Sequence, residues 1–120
     1  MIQKVILKSC HAQGYNEEDI YGAYKIFFGT LFSEPRLKIL SILRKGKKNV
    51  TELMEETRLS QTSMSHNLSR LRKCGFITRE TKGKYRYYHI NDKTIGPMLK
   101  LIDSHMMQYC MNILKERDKS

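Results

Sequence analysis

The sequence has no long apolar segment and no recognisable export signal. None of its apolar runs approaches the roughly 20 residues that a membrane-spanning helix requires. The first residues, MIQKVILKSCHAQG, contain one lysine before a short apolar run, and no small-residue cleavage site follows it. The sequence therefore predicts a protein that contacts no membrane and resides in the cytoplasm.

Cysteine is scarce and tryptophan is absent. The three cysteines, Cys10, Cys74 and Cys110, lack the spacing of a metal-binding or disulfide framework, so free thiols in a reducing compartment are expected. The chain also lacks a glycine-rich phosphate loop, a nucleophile in a recognisable turn and a credible acid–base pair. These absences predict that the protein is not an enzyme.

Acidic residues are few beside the basic ones. The chain has 22 lysines and arginines against 12 aspartates and glutamates, a net charge of +10. Nine of the basic residues and only two of the acidic ones lie within 58–93. Basic charge concentrated on one segment is typical of a protein that binds a polyanion, although a merely soluble basic protein is the alternative.

Three helices are predicted before this basic segment. The first spans about 17–32, with Asn16 as its N-cap and acidic residues in its first turn. The second follows the cap residue Ser33 and carries Pro35 in its first turn, and Gly46 lies just past its end. A short third helix begins near Thr51.

The fourth predicted helix lies within LSQTSMSHNLSRLRKCGFI, between the cap residue Ser60 and Gly75. A narrow apolar stripe recurs along it at Met64, Leu68 and Leu71. On a helical wheel, polar residues project opposite this stripe or from its flanks: Thr62, Ser63, Ser65, His66, Ser69, Arg70 and Lys73. Such short donors and acceptors suit contacts with base edges in a DNA major groove, whereas an ordinary solvated helix face is the alternative.

A β-hairpin and a long helix complete the chain. The segments FITRET and YRYYHI are rich in β-branched and aromatic residues and flank KGK, with Gly83 at the turn. A final helix is predicted over about 94–117. Its apolar residues form one seam: Ile95, Leu99, Ile102, Met106, Tyr109 and Ile113.

The order of these elements predicts the fold class. Two short helices joined by a tight turn, followed by a basic hairpin, indicate a winged helix-turn-helix that is mainly α with a small β-hairpin wing. We assign 16–118 to this domain and leave 1–15 as an N-terminal extension that is a strand, a helix or disordered. The C-terminal seam is longer than a lone winged helix covers, which favours a dimer, although packing within one chain competes with it.

SEPRLKILSIL, LSQTSMSHNLSRLRKCGFI and TKGKYRYYHI together resemble the ArsR/SmtB family of winged-helix transcriptional repressors. The resemblance covers about residues 20–115, and the pattern LSQ-x-x-x-SH-x-L-x-x-L before a wing ending in YY is fairly specific. It implies a homodimer paired through the first and last helices. It also implies operator binding near a promoter, and release when an inducer, often a metal ion, binds.

The resemblance also implies particular DNA contacts. Matched to the family's motif, the recognition helix contacts DNA through Gln61, Thr62, Ser65 and His66. The helical wheel adds Ser63 and Arg70 from its flanks. The wing contributes phosphate or minor-groove contacts from Lys82, Lys84 and Arg86. Two recognition helices about one DNA turn apart imply an imperfect palindromic operator in double-stranded DNA.

The sequence departs from the family at both of its metal sites. The thiolate site on the third helix is absent, because Met54 and Glu56 replace its cysteines. On the last helix, the family's second site for a divalent ion such as zinc or nickel keeps two or three of its four ligands: Asp103 and His105 match, Glu116 stands where the family has a histidine, and Lys119 at the fourth position is no ligand. An exposed aspartate and a histidine beside the dimer seam are the alternative, since a metal needs its full ligand set.

Two cysteines suggest a different inducer. In this fold the regions that hold Cys10 and Cys110 can approach each other, within one chain or across a dimer. They then provide a soft-metal site or a redox disulfide switch, whereas isolated thiols are the alternative. The predicted function is thus a sequence-specific DNA-binding repressor, for which three alternatives stay open: no inducer, release by a metal, or release by thiol chemistry. The competing function is a winged-helix module that binds other proteins.

Overall fold

A computed structural model describes residues 2–119, with side chains described through residue 117. Met1, the first residue of the predicted extension, lies outside the described residues. The helices are α1 (Lys4–Ala12), α2 (Glu17–Leu31), α3 (Glu34–Leu43), α4 (Val50–Thr57), α5 (Gln61–Lys73), α6 (Ile95–His105) and α7 (Met111–Lys119). The strands are β1 (Lys48–Asn49), β2 (Ile77–Lys82) and β3 (Tyr85–Ile90). The residues Met106–Cys110, between α6 and α7, form a π-helical turn, here called the π segment.

Side-chain caps start the helices where the sequence predicted them. The Asn16 side chain accepts a hydrogen bond from the Asp19 backbone N–H, and the Asp19 carboxylate accepts one from the Asn16 N–H, both at 2.9 Å. Ser33 caps α3 with a single bond, because its hydroxyl accepts from the Arg36 N–H at 3.3 Å, and the Ser60 hydroxyl accepts from the Ser63 N–H at 3.1 Å. These bonds satisfy N–H groups that have no partner inside the helix.

The short strand β1 was not predicted. Lys48 and Asn49 pair with Tyr88 and Tyr87 of β3. Asn49 then caps α4, accepting from the Glu52 N–H at 2.9 Å. For this reason α4 begins at Val50, one residue before the predicted start. A strand of two residues has too little length to show an alternating pattern.

The predicted hairpin is confirmed. β2 and β3 pair antiparallel from Ile77 opposite Ile90 to Lys82 opposite Tyr85, and β3 is the central strand of the sheet. Only two residues connect the strands, and Gly83 takes a φ of 60° there. Glycine adopts this left-handed conformation without steric cost, as a two-residue hairpin turn requires.

One core joins α3, α4, α5, the sheet and the start of α6. The predicted apolar stripe on α5 lies inside it, since Met64, Leu68 and Leu71 are at most 2% exposed. Burying a side chain of this size contributes about 1.5–3 kcal/mol. The stripe therefore fixes which side of α5 faces the core.

The two ends of the chain are helical. The segment whose structure the sequence left open contains α1, which contacts α2. The predicted final helix is interrupted by the π segment, and its seam changes character there. Ile95 and Leu99 are buried, whereas Tyr109 and Ile113 are 52% and 63% exposed. No helix within residues 2–119 has the length and apolar character needed to cross a bilayer.

Candidate nucleic-acid interface

A three-residue turn joins α4 to α5. Arg58 begins it with a φ of 62° and is the one non-glycine residue of the described chain with a positive φ. Its N–H donates to the Met54 carbonyl at 2.8 Å, which closes the end of α4. Arginine rarely adopts this left-handed conformation, so nothing in the amino-acid sequence predicted a positive φ at this position. This turn joins α4 and α5 into the predicted helix-turn-helix.

The outward side of α5 is polar and open. Gln61, Thr62, Ser65, His66 and Ser69 are all exposed. Within the described part of the chain, none of these five side chains makes a hydrogen bond to another residue. Their donors and acceptors are therefore available to a ligand. Four of the predicted recognition contacts share this face.

Two other predicted contacts, Ser63 and Arg70, point to a different side of α5. The Ser63 hydroxyl accepts a hydrogen bond from the Asn67 amide at 3.3 Å. The Arg70 Nε donates to the Thr30 hydroxyl of α2 at 3.1 Å. Both side chains are only partly exposed and have partners within the chain. Their role in DNA contact stays a prediction.

Sequence reasoning missed the residues that these two side chains join. Asn67 is 6% exposed and Thr30 is fully buried. The Asn67 side-chain oxygen accepts from Arg36 of α3 at 3.1 Å. The available signal was the i, i+4, i+7 spacing of Ser63, Asn67 and Arg70, which places them on one side of the helix but does not show that this side packs against α2 and α3.

The predicted wing residues lie at the tip of the hairpin. Lys82 ends β2, Lys84 is in the turn and Arg86 follows in β3, and all three are exposed. Three positive charges within five residues create a strongly positive tip. Cations arranged in this way attract phosphate groups whatever the base sequence.

An ion pair ties the wing to the segment before α4. Lys47 Nζ lies 2.8 Å from Glu80 Oε1 and 5.9 Å from the centre of the Tyr87 ring. The hydrogen bond from Lys47, and then its charge, lower the pKa of Glu80, and the same bond raises the pKa of Lys47. Because Glu80 is on β2 and Lys47 precedes β1, the pair spans β3. It also neutralises the only acidic residue of the wing.

The predicted metal ligands are not gathered within one chain. Asp103 Oδ2 lies 2.7 Å from Arg44 Nη1, and the rings of His105 and Tyr109 are 4.7 Å apart. Glu116 is exposed on α7. Among the described residues, no three histidine, cysteine, aspartate or glutamate side chains are placed to hold one metal ion. Since the resemblance divides the ligands between two chains, the metal site stays a prediction.

The three cysteines are free thiols. Cys10 is half-buried in an apolar groove between α1 and α2, and Cys110 is exposed on the π segment. The switch predicted for this pair stays a prediction. Cys74 instead has a partner, since its Sγ lies 3.1 Å from the Thr30 hydroxyl.

The helix-turn-helix and the hairpin directly after it make this fold a winged helix-turn-helix, the class of DNA-binding fold that the sequence predicted. A family model described as "Bacterial regulatory protein, arsR family" matches residues 33–79. The arsenical resistance operon repressor of Bacillus subtilis (strain 168) is 31% identical over 84 residues, which are 69% of this chain and 80% of that protein. The chain belongs to the ArsR family of bacterial regulatory proteins.

Solved structures share the fold. Rv0081 of M. tuberculosis superposes with a TM-score of 0.71 at 25% identity, covering 82% of this chain and 97% of that one. The homodimeric winged helix-turn-helix DNA-binding domain of Mb0332 from Mycobacterium bovis, a possible ArsR-family regulator, gives 0.72 at 21% identity, covering 80% and 89%. The second likeness concerns the fold alone.

Family membership confirms several predictions. Members are DNA-binding transcriptional regulators and not enzymes, so both the regulatory function and the absence of catalysis predicted from the sequence hold for this chain. It also disfavours the alternative of a winged-helix module that only binds other proteins.

Proposed function

We propose that the protein is a homodimeric transcriptional repressor that reads its operator with the exposed side of α5 and holds the flanking phosphates with the wing. The observation that carries this proposal is the row of exposed polar side chains on α5, which form no hydrogen bond to another described residue, together with the positive tip of the hairpin that follows α5 in the chain. Repression, rather than activation, follows the function named for the Bacillus subtilis relative.

The two elements have different chemistry and therefore different roles. The Gln61 amide carries both a donor and an acceptor, which matches the edge of adenine, and His66 offers a ring nitrogen five residues further along the helix. Lys82, Lys84 and Arg86 are cations that recognise charge. In this proposal α5 supplies sequence preference, and the wing supplies affinity and register.

The distribution of exposed apolar side chains supports dimerisation. Among the residues whose side chains the structure describes, 17 large hydrophobic ones are exposed, and all but Leu37 and Tyr85 lie between Val5 and Phe32 or between Leu101 and Leu114. An apolar groove of about 910 Å³ between α1 and α2 belongs to the same surface. A monomer rarely exposes apolar surface on this scale. We define these two stretches together as the apolar surface and propose that it is the dimer interface.

A symmetric dimer constrains the operator. Two copies of α5 related by a twofold axis read two half-sites in opposite orientation, about one DNA turn apart. The operator is therefore an imperfect palindrome in double-stranded DNA. A protein that binds such a site works in the compartment that holds the chromosome, which agrees with the predicted cytoplasmic location.

Release by an inducer is part of the proposal, and two chemistries compete for it. A zinc or nickel ion at Asp103, His105 and Glu116 requires Asp103 to leave Arg44 and leaves the ligand set one short of four. Cys10 and Cys110 supply thiolates, which soft ions prefer and oxidants modify. The additive that releases the protein from DNA shows which of these two chemistries acts as the inducer.

The test is fluorescence anisotropy with the reduced, metal-free protein. The probes are a duplex selected from a random library by the full-length protein, here called the selected duplex, and a shuffled duplex of equal composition. We expect a salt-dependent preference for the selected duplex and a palindrome within it. Repeat titrations with zinc, nickel, arsenite and a mild oxidant identify the inducer. Equal, weak binding to both duplexes would overturn the proposed function.

A further inference from the structure

A polar stripe runs along the side of α5 that faces α2 and α3. Its members are Ser63, Asn67, Arg70 and Cys74, at the spacing i, i+4, i+7 and i+11 that aligns residues on one helix face. Three of them have partners across the interface, Thr30 of α2 or Arg36 of α3, whereas Ser63 is bonded to Asn67 within α5. The helix thus has three distinct sides: an apolar side in the core, the outward polar side, and this inward stripe.

Arg36 is the first connection of the stripe to the rest of the fold. Its guanidinium donates to the Thr30 carbonyl at 2.6 Å, to the Gly29 carbonyl at 3.3 Å and to the Asn67 side-chain oxygen at 3.1 Å. The two carbonyls are in the last turn of α2, where no intrahelical N–H reaches them. One planar group therefore joins the end of α2 to the middle of α5.

Thr30 is the second connection. Its hydroxyl donates to the Ile26 carbonyl at 2.8 Å, which uses its single proton. The hydroxyl oxygen then accepts from Arg70 Nε at 3.1 Å and from the thiol of Cys74, whose Sγ is at the same distance. Two successive turns of α5 are thus bonded to one buried atom of α2.

These hydrogen bonds define the rotation of α5 about its own axis, which apolar packing alone does not. Contacts of Met64, Leu68 and Leu71 with the core fix which side of α5 is buried, but because they are non-directional they define its exact rotation less sharply than hydrogen bonds do. Hydrogen bonds depend steeply on distance and angle. A rotation of about 10° moves an atom on the helix periphery, roughly 5–6 Å from the axis, by about 1 Å. That displacement is enough to break a hydrogen bond to a base edge.

We propose that Arg36 and Thr30 are positioning residues for DNA recognition, which set the rotation of α5 through Asn67 and Arg70. The inference rests on the proposed role of α5 as the reading element. It makes the end of α2, which also carries part of the apolar surface at Tyr24 and Phe28, a determinant of sequence preference. A change in α2 would alter which DNA is bound, and not only how tightly.

The readout is the ratio of the affinities for the selected and the shuffled duplex, measured on full-length variants. Arg36→Lys keeps the charge, but a single ammonium cannot span the three acceptors. We expect the ratio to fall about tenfold, the effect of losing a base contact, with little change on the shuffled duplex. Lys38→Arg is the matched control, because it also keeps the charge on the same helix, and among the described residues Lys38 forms an ion pair only with Glu34, at 3.2 Å.

Two variants of Asn67 separate positioning from a merely structural role. Asn67→Asp keeps the acceptor for Arg36 and should retain most of the ratio. Asn67→Leu introduces a side chain of similar size that has no acceptor. It should lower the ratio of the two affinities about as much as Arg36→Lys does. The double variant Arg36→Lys/Asn67→Leu should be no worse than either single variant, because both remove the same link. Circular dichroism and a melting curve confirm that each variant is folded.

The outcomes separate this inference from the proposed function. If the wild-type protein shows no preference for the selected duplex, the proposed function fails and the inference fails with it. If the wild type shows the preference and His66→Ala lowers it, while Arg36→Lys and Asn67→Leu leave it intact, the function stands and the inference is overturned. Independent losses in the double variant would overturn it as well.

Discussion

Four hydroxyl side chains near the start of α5 have the same chemistry but different surroundings. Ser60 lies outside the helix and accepts from the Ser63 N–H, whereas Ser63 is turned inward and accepts from Asn67. Thr62 and Ser65 are exposed. Removal of a hydroxyl should therefore affect stability at one position and DNA binding at another.

The first prediction concerns the helix cap. Ser60→Ala should lower the free energy of unfolding by about 1 kcal/mol, because the Ser63 N–H loses its acceptor. Ser65→Ala is the matched control and should change that free energy by less than about 0.5 kcal/mol. Urea denaturation measures both. Equal destabilisation by the two variants would show that the Ser60 hydroxyl is not a cap.

The second prediction concerns base reading. His66→Ala should weaken binding to the selected duplex by about 1–3 kcal/mol, because a base-edge contact is lost. Binding to the shuffled duplex should stay nearly constant, since phosphate contacts dominate it. Anisotropy titrations on the two duplexes give both values. An equal loss on both duplexes would contradict a reading role for His66.

At the scale of the element, the wing is held from two directions. The hairpin turn has only two residues, so the positions of Lys82 and Arg86 follow directly from the register of β2 and β3. On the other side, Lys47 bonds to Glu80 across the central strand. The wing is therefore fixed to the segment that leads into α4, the first helix of the helix-turn-helix.

Phosphate binding by the wing gives the third prediction. Lys84→Ala should weaken binding to the selected and shuffled duplexes alike and reduce the slope of log K against log salt by about one, the loss of one released counterion. Lys100→Ala removes an equal charge from α6 and should leave the slope unchanged. Titrations at several salt concentrations give the slopes. A loss confined to the selected duplex would mean that Lys84 reads bases.

The fourth prediction concerns the ion pair of the wing. A carboxyl with a lowered pKa stabilises the fold above its ordinary pKa, and this contribution is lost as the pH falls through the lowered value. For Lys47, whose pKa is raised, the contribution is present below the ordinary value and is lost as the pH rises through the raised one. The pair thus stabilises the wing across neutral pH.

Lys47→Met should raise the pKa of Glu80, because both the hydrogen bond and the nearby charge are removed. NMR titration of the Glu80 side chain measures it. Lys45→Met is the control, since Lys45 is exposed and forms no ion pair with Glu80. An unchanged titration in Lys47→Met would show that Lys47 does not hold the carboxylate in solution.

What the sequence could predict depended on how local the cause was. The caps at Asn16, Ser33 and Ser60 and the glycine turn of the wing are set by neighbouring residues, and they were found. The left-handed backbone conformation of Arg58 and the inward direction of the Arg70 side chain depend instead on packing against other parts of the chain. The partner of Arg70 is 40 residues away, and no periodicity along one helix reveals it. The π segment is likewise invisible to a pattern that assumes regular helical spacing.

At the scale of the whole molecule, charge and apolar character are divided between different elements. The positive tip and the open polar side of α5 lie on the helix-turn-helix and wing, whereas most exposed apolar side chains lie on the first two helices and the C-terminal stretch. The first set suits a polyanion and the second a protein surface. Binding of DNA and pairing of chains can thus be altered separately.

The fifth prediction separates these two surfaces. Ile113→Asp should shift the protein from dimer to monomer in sedimentation experiments, because a carboxylate is costly to bury in an apolar interface. Leu37→Asp is the control, since Leu37 is exposed on α3, outside the apolar surface. It should leave the dimer intact. Equal sedimentation of Ile113→Asp and the wild type would place the interface elsewhere.

The inward stripe of α5 also has a consequence for engineering. Within the described chain, the side chains at positions 61, 62, 65, 66 and 69 form no hydrogen bond to another residue. By contrast, those at 67, 70 and 74 are bonded to the neighbouring helices, and that at 63 is bonded to Asn67. A library that varies the first set and keeps the second should yield mostly folded proteins with new operator preferences. The outward side of α5 can thus be changed to recognise other DNA sequences, while the inward stripe keeps the helix in its place in the fold.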